Sequence, residues 1–301
     1  PLAISMLTSK SVGNTISFIV GSASNNSQIQ VDWGDNSPVN YAIGTNTTIS
    51  ATIADSSRVI KIYGSGINYF DVSYLELTYL NVSAASGLNV LDCNFNKLTT
   101  LDLSRNTSLI NLYCIGNQLT SIDVSKNSAL KILGCTQNSL TSLDLSKNLQ
   151  LSELYCSSNK LTALNLLYNQ NLTKLDCSSN FLTFKTLPAK QPAWVLFNYS
   201  PQANVQLPKT SYSVFESIDL SSQSVVNGNL TGYTWKKKYN GETLLKGTDY
   251  YENNGVFTML STFGNQVLCQ MTNASFPGLI LTTEYLTVYT TNPSITMVPA
   301  A

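Results

Sequence analysis

Five of the six cysteines in this sequence recur with a fixed 21-residue period. They are Cys93, Cys114, Cys135, Cys156 and Cys177. A fixed period of this kind is typical of a repeat protein, in which each repeat buries its apolar face only against its neighbours. The period therefore constrains the fold more strongly than any other feature of the 301 residues.

When the sequence is written in rows of one period each, starting from Leu88, chemically alike residues fall into columns. Each row pairs apolar residues two apart, as at Leu91 and Cys93 and again at Leu101 and Leu103. Such pairs share one face of a short extended segment, so each row is predicted to be a coil of two extended segments and two corners. At one corner an inward asparagine can bond the neighbouring backbone. This asparagine column comprises Asn96, Asn117, Asn138, Asn159 and Asn180.

The row pattern L-x-x-L-x-C-x-x-N-x-L-T-x-L-D-x-S-x-N resembles a short bacterial leucine-rich repeat over about residues 67–187. The resemblance implies a curved solenoid whose strand face often binds protein or glycan. We expect the cysteines to be small apolar fillers of the core, present as free thiols. Side chains stacked in register point the same way, whereas a disulfide requires a dihedral angle of about 90°.

The segment before the repeats, residues 1–66, alternates apolar and polar residues in short runs that predict strands. Within it, Val31-Asp32-Trp33-Gly34-Asp35 resembles the signature of PKD-type β-sandwich domains of microbial surfaces. Two interpretations of Asp32, Asp35 and Asn36 remain open. These residues can hold calcium, or they can form turns.

After the repeats, a proline-rich linker is expected at 191–204, and residues 205–290 resemble an immunoglobulin-like sandwich. Trp235 and Cys269 take its core positions, without a partner cysteine for the usual bridge. Asn254-Gly255 predicts a hairpin turn, and residues 291–301 are expected to form a C-terminal tail.

The predicted fold is mainly β: a leucine-rich-repeat solenoid of 21-residue coils over 67–190, flanked by two small β-sandwich domains at 1–66 and 205–290.

The outward positions of the predicted strands vary from row to row, whereas the inward columns do not. Tyr113 and Tyr155 would lie two coils apart, about 10 Å, with a gap at Gly134. They can stack on two sugar rings or grip an extended peptide. Alternatively, tyrosine simply suits a strand surface. The candidate ligand-binding residues are Asp92, Tyr113, Gly134, Tyr155, Asp176, Asn111, Ile132, Glu153 and Lys174.

Several functional classes are disfavoured by composition. The sequence has no histidine, which excludes Ser-His-Asp and Cys-His catalysis and zinc sites with an imidazole ligand. Asp102, Asp123 and Asp144 recur identically in successive coils, whereas acid–base catalysis needs carboxylates in different environments. We therefore expect neither an enzyme nor a cofactor or metal centre.

The charge balance also limits the partners. Because 17 basic residues cancel 17 acidic ones and only 11% of residues are charged, nucleic acid and anionic membranes are poor partners. No apolar run approaches the ~20 residues of a transmembrane segment.

The order of domains resembles bacterial cell-surface leucine-rich-repeat proteins, with an internalin-like succession of solenoid and immunoglobulin-like domain. The resemblance implies a protein, exported to the bacterial surface or beyond, that adheres to a host or environmental protein or glycan. We expect the chain to be a monomer, although the sequence does not determine its oligomeric state. The export is inferred from the domain types. Two alternatives remain: a carbohydrate-active parallel β-helix enzyme with three strands in each coil, or a spacer that presents another domain.

Overall fold

The computed structural model describes residues 1–53, 56, 58–264 and 266–290. They belong to two compact units, one of Pro1–Asn180 with Pro188–Tyr199 and one of Phe181–Leu187 with the residues from Ser200 onward. The described part is almost entirely β, with one single-turn 3-10 helix at Ser221–Gln223 and no α-helix. It contains no helix of sufficient length and apolarity to span a membrane. The tail expected at 291–301 lies outside the described residues.

The first unit is built from two sheets that share the solenoid rows. Its first eight strands are β1 (Leu2–Thr8), β2 (Thr15–Ser22), β3 (Ser27–Asp32), β4 (Val39–Ile43), β5 (Thr47–Thr52), β6 (Val59–Tyr63), β7 (Ile67–Asp71) and β8 (Leu77–Asn81). One short strand from each later row follows: β9 (Val90–Asp92), β10 (Asn111–Tyr113), β11 (Ile132–Gly134), β12 (Glu153–Tyr155), β13 (Lys174–Asp176) and β14 (Leu196–Asn198). The sheets run β4-β3-β6-β1-β8 and β14-β13-β12-β11-β10-β9-β7-β2-β5.

The 21-residue period is one turn of a β-solenoid. Strands β9 to β13 pair in parallel with a shift of one period, so that Leu112 lies between Leu91 and Leu133. These leucines and the cysteines two positions later are completely buried. Because alternate side chains of an extended segment point to the same side, the leucine column and the cysteine column both face the core. The sequence pattern predicts this arrangement.

The second extended segment of each row differs from the prediction. In the first row it is the strand β8, because β1 lies beside it as an antiparallel partner. In the later rows the corresponding residues, such as 101–103, form no strand. Neighbouring rows are joined there by isolated backbone bonds, for example from Lys97 N–H to Leu77 O (2.8 Å). Each later row therefore has one regular strand, whereas the first row has two.

The N-terminal segment continues both sheets of the solenoid. Strand β2 pairs antiparallel with β7, and β1 pairs with β8, so residues 1–66 share hydrogen-bonded sheets with the first row. This pairing covers the open edge at the start of the repeats, where unpaired backbone groups would otherwise favour aggregation. Strands β1 and β5 were not expected from the sequence.

The segment expected to be a linker, 191–204, contains β14. This strand pairs in parallel with β13 and places Phe197 opposite Leu175. Trp194, only 6% exposed, packs edge-on against Phe197 with 4.9 Å between ring centroids. The parallel sheet thus extends beyond the last recognisable row, with aromatic residues in place of leucine and cysteine.

The second unit consists of two sheets. Its strands are β15 (Ser211–Ser213), β16 (Ser217–Asp219), β17 (Val225–Val226), β18 (Asn229–Lys237), β19 (Tyr250–Asn253), β20 (Val256–Met259), β21 (Gln266–Asn273), β22 (Ile280–Thr282) and β23 (Leu286–Tyr289). The larger sheet has the order β15-β23-β21-β18-β17, with β22 also on β21, and the smaller one β16-β20-β19.

The core of the second unit lies between these sheets. Trp235 and Cys269, the residues expected in its core, are direct neighbours across β18 and β21 and are both fully buried. The Trp235 ring meets Phe257 of the smaller sheet with 5.4 Å between centroids. The expected hairpin turn joins β19 to β20, with Asn254 and Gly255 both at positive φ. The strand expected over Leu279–Tyr289 is divided into β22 and β23.

Candidate ligand-binding face

The strands β9 to β13 bring the candidate residues onto one surface, called the strand face below. Register places Tyr113 beside Asp92 and Gly134, and Gly134 beside Tyr155. Each central residue of the face lies between a buried leucine and a buried cysteine in the chain. Eight of the nine candidate residues are half-buried, and the ninth, Gly134, is buried.

The corner asparagines hold these strands in register. The Nδ2 group of Asn117 donates to the carbonyl oxygens of Cys93 (3.0 Å) and Cys114 (3.1 Å). Its Oδ1 accepts the N–H of Leu98 at 3.1 Å. One side chain thus bonds both its own row and the preceding row. The same pattern is found for Asn96, Asn138, Asn159 and Asn180.

The gap expected at Gly134 is filled. A Cβ atom at this glycine would lie 3.2 Å from Cδ1 of Tyr113 and 3.4 Å from Cδ1 of Ile115. The Tyr113 ring therefore leans over the glycine backbone, since no side chain stands in its way. Tyr113 and Tyr155 consequently do not flank an open slot, which corrects the expectation from the sequence. Gly134 instead allows the ring of the neighbouring tyrosine to approach the backbone closely.

Tyr155 is fixed by a chain of polar contacts. Its hydroxyl donates to Glu153 Oε2 at 2.8 Å, and Lys174 Nζ lies 2.8 Å from Glu153 Oε1. The bond from Lys174 lowers the pKa of Glu153, with a further contribution from Tyr155. Burial, followed by the bond to Glu153, raises the pKa of Tyr155 to about 12. At neutral pH this part of the face presents a neutral phenol beside a compensated ion pair.

The two aspartates of the face have different surroundings. Asp92 accepts Oγ–H of Ser73 at 2.6 Å, and burial raises its pKa. Asp176 accepts Oγ–H of Ser178 at 2.7 Å. The face is thus bordered by one carboxylate at each side of the tyrosines.

The five cysteines of the repeat lie behind the strand face as a file of free, buried thiols. Burial raises the pKa of Cys135 and that of Cys177 to about 12. Since only the thiolate reacts readily, these groups are chemically inert in the folded chain. Cys269 of the second unit is likewise free and buried.

The repeated aspartates Asp102, Asp123 and Asp144 lie away from the strand face in exposed turns. Each accepts the backbone N–H of the serine two positions later, at 2.9, 2.8 and 2.9 Å respectively. These bonds lower the pKa of all three carboxyls. The three groups therefore share one environment.

The N-terminal acidic residues also form turns. Asp32 is 2% exposed, and its Oδ1 accepts the N–H groups of Gly34 (2.9 Å) and Asn36 (3.0 Å). Asp35 accepts the N–H of Ser37 at 2.9 Å. This geometry favours the turn-forming interpretation of Asp32 and Asp35.

Sequence reasoning missed the N-terminal continuation of the strand face. Asp71 of β7 pairs with Asp92, and Ile19 of β2 pairs with Asp71, so the outward row continues onto the N-terminal strands. Tyr74 and Phe95 stand above this continuation, and both are exposed. The signal was available: Asp71 and Tyr74 lie one period before Asp92 and Phe95.

Comparisons with known proteins find likenesses among solved structures. No family model matches the chain, and no curated protein matches it. Among the solved structures that match is the functional domain of InlJ from Listeria monocytogenes, described as including a cysteine ladder. The two chains are 20% identical, with a TM-score of 0.41 over 74% of this chain. The match spans 62% of the length of the InlJ chain.

Proposed function

We propose that this chain is a non-catalytic, extracellular adhesion protein that binds a protein or glycan ligand on the strand face. Tyr113 and Tyr155 would be the anchors of the ligand, with Asp92 and Asp176 at the borders. The observation that carries the proposal is the contrast between the two sides of the same strands. The inward leucines and cysteines are constant, whereas the outward residues change from row to row.

The geometry of the tyrosines supports this role. Tyr113 rests on the backbone of Gly134, and Tyr155 is held by Glu153. Aromatic side chains with restricted rotamers bind with a small loss of conformational entropy and supply both apolar area and a polar tip. A half-buried, ordered pair of tyrosines is therefore well suited to anchor a sugar ring or an extended peptide.

The absence of catalysis is part of the proposal. Asp102, Asp123 and Asp144 share one hydrogen-bonding pattern, whereas a general acid and a general base require pKa values pushed apart. The repeated row also contains one regular strand, which disfavours the three-stranded coil of a carbohydrate-active β-helix. The extracellular location rests on the resemblance to bacterial surface proteins.

A binding array tests the proposal. The wild-type chain and the Tyr113→Ala/Tyr155→Ala double variant are applied to immobilised glycans and extracellular-matrix proteins. We expect one class of ligand to bind the wild type and binding to fall at least about tenfold in the double variant, as for the loss of two anchors. The melting temperature should change little, because both side chains are on the outward surface.

Tyr168→Ala is the matched control, since Tyr168 is 54% exposed and is not part of the strand face. It should bind like the wild type. If the double variant bound the ligand as well as the wild type does, the binding site would have to lie on another surface of the protein. If the wild type bound no member of the array while a fused neighbouring domain did, the spacer interpretation would be favoured.

A further inference from the structure

A cleft of about 430 Å³ lies on the outward side of the first unit, where strands β2 and β5 continue the sheet of the solenoid. Its lining includes the carboxylates Asp71 and Asp92 and the hydroxyl residues Ser17 and Thr48. The rings of Tyr74 and Phe95, called the aromatic wall below, also line it. The volume falls within the range of about 300–1,000 Å³ that is typical of ligand sites. This aromatic cleft is separate from the pair Tyr113 and Tyr155.

The aromatic wall is ordered although it is exposed. The rings of Tyr74 and Phe95 stack with 4.7 Å between centroids and 17° between planes. On its other side Phe95 covers Gly116, where a Cβ atom would lie only 2.6 Å from Phe95 Cδ1. Tyr74 is the outermost ring of this stack and is 63% exposed. The exposed Tyr74 is also one of the residues that line the cleft.

The backbone fixes the position of both rings. Tyr74 and Phe95 adopt left-handed conformations, with φ of 60° and 52°. Their N–H groups donate to Asn94 O (3.0 Å) and Ile115 O (2.7 Å) of the next row. Gly116 has the equivalent position in the following row, with φ of 66°. Large aromatic residues are uncommon in this conformation, which glycine adopts without strain.

The lining of the cleft includes two carboxylates, Asp71 and Asp92, for which the described residues provide no ion-pair partner. Asp71 and Asp92 are direct neighbours on adjacent parallel strands, about 4.8 Å apart. Ser73 bonds both, through its N–H to Asp71 Oδ1 (2.9 Å) and its hydroxyl to Asp92 Oδ1 (2.6 Å). Among the ion pairs of the described residues, none includes either aspartate. Two half-buried carboxylates so placed repel each other and attract a positive ligand.

Two features of the cleft select the ligand: a pair of stacked aromatic rings and a pair of adjacent carboxylates. A guanidinium group satisfies both, because it is planar, stacks on aromatic rings and donates two parallel hydrogen bonds. An ammonium group gains the charge attraction without the flat stacking surface. We infer that the aromatic cleft binds an arginine side chain of a polypeptide partner, with its guanidinium on Asp71 and Asp92 and against the ring of Tyr74.

This inference goes beyond the proposed function, because the aromatic cleft shares only Asp92 with the strand face, whereas Asp71 and Tyr74 lie outside the nine candidate residues. The two ideas are therefore separated by variants of Asp71 and Tyr74 on one side and of Tyr113 and Tyr155 on the other. Loss of the tyrosine anchors leaves Asp71 and Tyr74 intact, and changes at Asp71 or Tyr74 leave the anchors intact.

The test is a titration of the ¹⁵N-labelled chain with the capped peptide Gly-Gly-Arg-Gly-Gly, followed by amide chemical shifts at low ionic strength. The shifts should be confined to the surroundings of Asp71, Tyr74 and Asp92. The peptide with lysine should bind several-fold more weakly, and the peptide with neutral citrulline at least about tenfold more weakly. Free L-arginine, which adds a carboxylate, should also bind more weakly than the peptide.

Variants of the residues that line the cleft test which side chains bind the peptide. Asp71→Asn keeps an oxygen that accepts the N–H of Ser73 but removes a charge, and should weaken binding about tenfold. Tyr74→Gly should weaken it about threefold to tenfold and remain folded, because Gly116 already occupies the equivalent position. The controls Asp102→Asn and Tyr113→Ala/Tyr155→Ala should bind like the wild type.

Equal binding of the arginine and citrulline peptides would overturn the inference, as would unchanged binding by Asp71→Asn. Shifts centred on Tyr113 and Tyr155 alone would also overturn it and would leave the proposed function untouched. Free arginine binding as tightly as the peptide would show that the ligand is the amino acid and not a polypeptide.

Discussion

Replacement of Asn117 by alanine is expected to lower the free energy of unfolding by about 2–4 kcal/mol. The side chain is buried, and its Oδ1 accepts the N–H of Leu98 at 3.1 Å. Alanine would leave this amide without an acceptor in the interior. The carbonyls of Cys93 and Cys114 would lose one donor each, although Asn96 and Asn138 still donate to them. The loss of the side chain also creates a cavity.

The second asparagine column supplies a matched control for this prediction. Asn127 is as deeply buried, and its Nδ2 donates to Leu103 O (3.2 Å) and Asn106 O (2.8 Å). Its Oδ1, however, is a buried atom without a hydrogen-bond partner in the described structure. Asn127→Ala therefore removes an unsatisfied acceptor and leaves no orphaned amide at this position. It should cost at least about 1 kcal/mol less than Asn117→Ala.

Urea unfolding followed by circular dichroism measures both variants. The difference in midpoint, at unchanged denaturant slope, gives the difference in stability. Equal costs for the two variants, or a larger cost for Asn127→Ala, would show that the corner asparagines do not act through the bonds described here.

Leu133→Ala should lower the free energy of unfolding by about 3–5 kcal/mol. Leu133 is completely buried at the centre of the leucine column, between Leu112 and Leu154. Each row packs only against its neighbours, so a cavity in a middle row weakens two interfaces at once. The adjacent residue Ile132 is outward and half-buried. Ile132→Ala should cost only about 1 kcal/mol, in proportion to the smaller apolar area that it buries.

The same unfolding experiment compares these two variants. A cost for Ile132→Ala that equals or exceeds that for Leu133→Ala would contradict the assignment of inward and outward residues. Because neighbouring residues of one strand are compared, local strand propensity affects both variants similarly.

The solenoid was predictable from sequence because its constraints are local and repeated. Leu91 and Cys93 lie two positions apart and must share a face of an extended segment, and the constant period places them above the same pair in the next row. The corner asparagines were predictable for a related reason, since a buried turn must satisfy its backbone groups.

Other features depend on partners that a local pattern does not specify. The second segment of a row is a strand only where β1 lies beside β8, and β1 comes from about 70 residues earlier in the chain. Strand β14 follows no leucine–cysteine pattern, because Phe197 and Trp194 fill the space instead.

The details of the candidate sites were the least predictable. Spacing placed Tyr113 and Tyr155 on one face but could not give the direction of the Tyr113 ring, which depends on the bare backbone of Gly134. Tyr74 and Phe95 depart from the apolar columns, and their stacking requires a left-handed corner that the repeat alone does not reveal. Side-chain direction at a turn depends on backbone dihedral angles, which the sequence period does not determine.

Titration of the thiols tests the central claim most directly, namely that each 21-residue period makes one solenoid turn and carries its sulfur into the core. All six cysteines are free and buried. In native buffer without reductant, a coloured thiol reagent should therefore react with almost none of them over minutes, and with all six after unfolding in guanidinium chloride. Rapid reaction of several thiols in the native chain, or fewer than six after unfolding, would contradict the account.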